Sequence, residues 1–143
     1  MKTRLSVRAV LLALFVAASL SACKKSNSDP APDLAARVAG QYTFSELATG
    51  GKTYPASQTN LKGSINVTRQ TPTTVSMSVS LNLKSTNETY AEDSVDNVTV
   101  SETSSGNVEF RSGSTVIARA TGNKISIEGA GDDGVDLTIY ATK

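Results

Sequence analysis

From Thr74 to Lys84 the side chains alternate without a break. Val75, Met77, Val79, Leu81 and Leu83 take one parity, and Thr74, Ser76, Ser78, Ser80, Asn82 and Lys84 take the other. Successive side chains of an extended strand point to opposite faces, so this eleven-residue run has one apolar face and one hydroxyl-rich face. A helix would scatter the same apolar residues around its whole circumference. The segment is therefore a strand with one face on a core and one in water, the arrangement of antiparallel sheets.

The same period recurs along the chain. Leu61, Ile65 and Val67 alternate with Lys62, Ser64, Asn66 and Thr68, with Gly63 between them. Shorter runs follow at Val98 and Val100, at Val108 and Phe110, at Val116, Ala118 and Ala120, at Ile125 and Ile127, and at Val135, Leu137, Ile139 and Ala141. Turn chemistry divides them: Gln70-Thr71-Pro72-Thr73, Ser105-Gly106-Asn107, Ser112-Gly113-Ser114, Thr121-Gly122-Asn123, and Gly129 to Gly134. Strands joined by such short turns are antiparallel neighbours, so order along the chain becomes order in space. We count eight or nine strands between Gln41 and Lys143. About eight strands close into a barrel whose interior side chains can fill, and closure removes exposed edges. The expected fold is all-β, an antiparallel up-and-down meander closing into a small barrel, with a β-sandwich as the alternative. One helical segment precedes it, Asp33 to Gly40, with Asp33 as N-cap and Gly40 just past its C-terminus.

The chain begins differently. Lys2, Arg4 and Arg8 precede Ala9 to Leu20, a twelve-residue stretch in which Ser19 is the one polar residue. A membrane-spanning helix needs about 20 apolar residues, whereas twelve suit the core of an export signal. Leu20-Ser21-Ala22-Cys23 resembles the lipobox of bacterial lipoproteins. That resemblance implies a diacylglycerol thioether on Cys23 and cleavage before it, giving a signal peptide over 1–22. Residues 23–33, including Lys24 to Pro32, carry two prolines and almost no apolar side chain, and are expected to be a flexible tether. The β domain then covers 34–143. Without residues 1–22, Lys+Arg falls from 14 to 11 against 13 Asp+Glu, so the domain carries no basic surplus to draw nucleic acid. Such a tether after a lipidated Cys is similar to envelope lipoproteins of Bacteroidetes. Those that reach the cell surface carry an acidic cluster after the Cys, and here Lys24-Lys25 stands there, so the facing side stays open.

Val38-Ala39-Gly40-Gln41-Tyr42-Thr43-Phe44, a short helical turn followed by Gly-x-aromatic, resembles the opening of the lipocalin-like domains of bacterial lipoproteins. The family has Trp at the position of Tyr42 and uses that aromatic to plug the closed end of the barrel. The resemblance implies a structural Tyr42 and a non-enzymatic barrel that binds a small ligand.

Composition narrows the chemistry. The 143 residues include no His, no Trp and one Cys. An internal disulfide, a Cys/His zinc site and a His-dependent triad are excluded. No catalytic residue, metal or cofactor is expected. The carboxylates at Glu88, Glu92, Asp93 and Asp96, and at Asp132, Asp133 and Asp136, read as turn residues, although whether the second group binds a cation is left open. Asn66, Asn87 and Asn97 start sequons that are coincidental in a Thr-rich chain. Asp93-Ser94-Val95 resembles an O-glycosylation motif of Bacteroidetes envelope proteins, which makes Ser94 a candidate modification site. No ligand-binding residue can be named from the sequence. The expected partners are the outer membrane of the cell envelope through Cys23, and either a small molecule or an envelope protein. Under the second alternative the domain is an interaction module such as a lysozyme or protease inhibitor. Ser112-Gly113-Ser114 is only a fragment of the loop such inhibitors use.

Overall fold

Asp33 caps a short helix: its Oδ1 accepts the Ala36 N–H at 2.8 Å, and α1 runs Leu34–Val38. A computed structural model describes residues 32–130 and 134–143 of the chain. The signal segment, Cys23, the tether through residue 31, and Asp132 and Asp133 lie outside the described residues.

Nine strands follow α1 among the described residues: β1 (Gly40–Thr49), β2 (Lys52–Pro55), β3 (Leu61–Thr71), β4 (Thr74–Leu83), β5 (Thr89–Glu102), β6 (Val108–Ser112), β7 (Thr115–Thr121), β8 (Lys124–Ala130) and β9 (Asp136–Thr142). Every pairing is antiparallel, and from β3 to β9 each strand pairs with the next. β1 pairs with β9 from Thr43 to Thr49 and with β3 from Gly40 to Thr43. Those two ladders close the sheet into an eight-stranded barrel, so the meander forms a barrel and not a sandwich. β2 is the extra strand. It pairs with the second half of β1, and a 3-10 turn at Ala56–Gln58 leads from it into β3.

Two apolar clusters fill the barrel. The larger joins Leu34, Ala35 and Val38 of α1 to the inward residues of the strands, among them Tyr42, Ile65, Val75, Val98, Phe110 and Ile125, all fully buried. The helix thus stoppers one end. Tyr42 lies at that end and donates its hydroxyl to the Val38 carbonyl at 2.7 Å. Burial raises its pKa, which keeps the phenol neutral and able to donate. Lys143 Nζ lies 4.8 Å from the centre of the Tyr42 ring and donates to the Ala39 carbonyl at 2.8 Å, satisfying a carbonyl the helix end leaves free. The smaller cluster, Phe44, Leu61 and Leu81, fills the barrel toward β2, with Leu47, Ala56 and Leu83 against it.

Two ion pairs latch the stopper. Arg69 of β3 reaches Asp33 at 2.8 Å, and Arg37 reaches Glu102 of β5 at 2.9 Å. The hydrogen bond from Arg69 holds the Asp33 carboxyl below its ordinary value of 3.8. On the outer face of β6 to β8, the hydrogen bond from Arg111 does the same to Glu109, below 4.5. A carboxyl whose pKa is depressed by folding stabilises the fold above its unfolded pKa, and that contribution is lost as pH falls through the folded value. The melting temperature should therefore hold from neutral pH down to about 5 and drop below about 4. Asp33→Asn combined with Glu109→Gln should flatten the drop in a pH series of melts. An equally steep fall in the double variant would show that neither carboxyl carries it.

Gly63 sits where β3 parts from β1, one residue before the last pair, Thr43 with Ser64. Its φ is +152°, and a Cβ there would overlap the Ser80 carbonyl oxygen of β4. Only glycine lets β3 turn this corner with the β4 backbone so close.

Candidate functional site

β5 runs fourteen residues, yet β6 pairs with it only from Thr99 to Glu102. The cause is local. Val75 pairs with Val98 and Met77 with Val95, so Asp96 and Asn97 together oppose Ser76. This is a β-bulge, with Asn97 at φ 56° and its N–H donating to Gln70 Oε1 at 3.2 Å. Beyond the bulge β5 stays with β4 and has no second strand neighbour among the described residues. The short β6 and its tight turn into β7 do not reach that far.

The result is a side opening in the barrel wall. Behind it lies a cavity of about 290 Å³. Met77, Val79, Val95, Val116, Ile117 and Ile127 line it, with Asp93, Ser94, Thr115 and Glu128 around them. Val79, Val95, Ile117 and Ile127 are only partly buried, although they pack against the core. The stoppered end is filled by side chains, so the cavity belongs to the side of the barrel and not to a deep central cup.

Asp93 is the polar residue best placed in this opening. It pairs with Val79 in register and shares the parity of Ala91 and Val95, the parity that faces the core. Its Oδ1 accepts the Ser94 N–H at 2.7 Å. Across the opening Glu128 is held by Arg119 at 2.6 Å, and Arg119 also approaches Glu109 at 3.5 Å.

The sequence-derived candidates fall as follows. Ser94 is exposed on β5 and lines the cavity mouth. Glu92, Asp93 and Asp96 lie in a strand and not in a turn, which corrects the expectation for them; Glu88 alone lies in the loop before β5. Asp136 is the exposed first residue of β9, paired with Ala130. Among the described residues no three Asp or Glu side chains come together to hold a metal ion. Of the six aromatics in the domain, Tyr42, Phe44 and Phe110 are core, while Tyr54, Tyr90 and Tyr140 are not. Ser112-Gly113-Ser114 turns β6 into β7. Sequence reasoning missed the cavity wall on β5. The signal was there in Ala91, Asp93 and Val95, but an inward aspartate interrupts the apolar period and the bulge shifts its phase before Val98.

No protein-family profile matches the sequence, and neither does any curated protein. Among solved structures, a candidate outer membrane protein from Bacteroides fragilis is similar at 16% identity and a TM-score of 0.47 over 78% of this chain. This chain spans about half of that protein's length, 52%. A redesigned β-barrel has 11% identity and a TM-score of 0.44, over 79% of this chain and 96% of its own. A de novo fluorescence-activating β-barrel has 13% identity and a TM-score of 0.43, over 78% and 97%. The barrel assignment itself rests on the strand pairing of this chain.

Proposed function

We propose that this chain is a lipid-anchored envelope protein whose lipocalin-like barrel binds a small ligand and catalyses nothing. The observation that carries the reading is the apolar cavity of about 290 Å³ opening through the unpaired stretch of β5. Burying apolar ligand surface there is favourable at about 25 cal/mol per Å². The volume is near the lower end of the range for small-molecule sites, so the ligand is small.

Ligand binding to the folded state alone raises the melting temperature in proportion to the logarithm of excess ligand. Titration with 1-octanol should therefore raise it, and Val95→Trp, which places an indole in the opening, should remove the effect. Absence of any shift in the unaltered protein would end the ligand reading.

Anchoring rests on Cys23, with the outer membrane of the envelope as its site. Two acyl chains or more hold a protein stably on a bilayer. Labelled palmitate should enter the protein in cells, and Cys23→Ser should abolish both the label and the membrane-bound fraction. Label that survives the substitution would overturn the anchor.

A protein-interaction module, such as an inhibitor of a lysozyme or protease, is a second reading. The β5 edge beyond the bulge favours it, because an extended partner segment can add to such an edge through its backbone. Loss of lysozyme or protease activity on adding the purified protein would support this reading, and undiminished activity of both would count against it.

A further inference from the structure

Resting on the reading of the cavity as a ligand site, we infer that its ligand is a cationic amphiphile, with a short apolar tail against Val79, Val95 and Ile127 and an ammonium group at Asp93. The tail follows from volume. About 290 Å³ is roughly twice the ~150 Å³ that holds a benzene, enough for an aliphatic chain of about eight carbons. The head follows from charge.

Asp93 has the inward parity of β5 but is solvent-exposed, so its carboxylate stands at the mouth of a largely apolar wall. Among the described residues no basic side chain pairs with it, and none pairs with Glu92 or Asp96 on the same strand. Among the described residues, Glu128 is the one carboxylate on the opposite lip, and Arg119 already matches it. The opening therefore carries unbalanced negative charge on one side and a matched pair on the other. A carboxylate head entering with its tail would sit beside the Asp93 carboxylate and be repelled by it, most strongly at low ionic strength. An ammonium head in the same place would donate to Asp93 and balance its charge.

An inward charge on an open strand edge also deters edge-to-edge aggregation. That role is indifferent to the head group of a small ligand, so a head-group preference separates the two.

The test is calorimetry of the purified protein with octylammonium, 1-octanol and octanoate at low ionic strength. Octylammonium should bind at least about tenfold more tightly than octanoate, with 1-octanol between them. Added salt should narrow that ratio. Asp93→Asn keeps an oxygen for the Ser94 N–H and should bring the ratio close to one. Octanoate binding as well as octylammonium, with 1-octanol still bound, would overturn the cationic ligand and leave the cavity reading standing. A ratio that persists in Asp93→Asn would overturn the role of Asp93. Failure of all three amphiphiles to bind would remove the cavity reading, and this inference with it.

Discussion

Gly63→Ala should destabilise the barrel by about 3 kcal/mol or more. Two costs add. At φ +152° an alanine is held in a backbone region that L side chains rarely adopt. Its Cβ would also collide with the Ser80 carbonyl oxygen and come within 2.9 Å of the Leu81 Cα. Both are backbone atoms of β4, and Ser64 with Ser80 and Lys62 with Asn82 pair on either side. Neither strand can move without breaking that ladder. The melting temperature should fall by on the order of 15 °C. Gly50→Ala, at φ +56° where a Cβ meets nothing within 4 Å, serves as the control for replacing a positive-φ glycine that has room for a side chain. If the two variants melt together, the close approach of β3 and β4 is not what makes Gly63 necessary.

Phe110→Ala should cost about 3–5 kcal/mol in urea unfolding. The ring is fully buried on the five-residue β6, opposite Val100 on one side and Ala118 on the other. Ala118, Ala120 and Ala141 are small members of the same cluster, so this aromatic fills volume that its neighbours leave. Truncation leaves a cavity that these alanines cannot close. Phe110→Leu keeps most of the volume and should cost about 1.5 kcal/mol or less. Equal losses from the two substitutions would show that the ring's volume is not what stabilises the core.

The architecture was legible because it depends on a period of two, and that period survives in Val75 to Leu83 and in Leu61 to Val67 whatever surrounds them. The N-cap was legible too, since Asp33 acts within its own turn. Short turns then imposed antiparallel neighbours. The candidate site was hidden for a physical reason. The opening exists because β5 is longer than β6 and bulges at Asp96 and Asn97, and neither strand's sequence says where its partner ends. Asp93 reads locally as a turn residue, and only its pairing with Val79 gives it the inward parity, at an exposed position in the opening.

By itself the sequence determined an antiparallel all-β domain with a short capped helix ahead of it, because alternation and capping are local properties of the chain. Tertiary structure alone decided that β1 meets β9, that β2 lies outside the ring of eight, and that the wall parts beside β5. Those outcomes depend on register and relative strand length, which are relations between segments far apart in the chain.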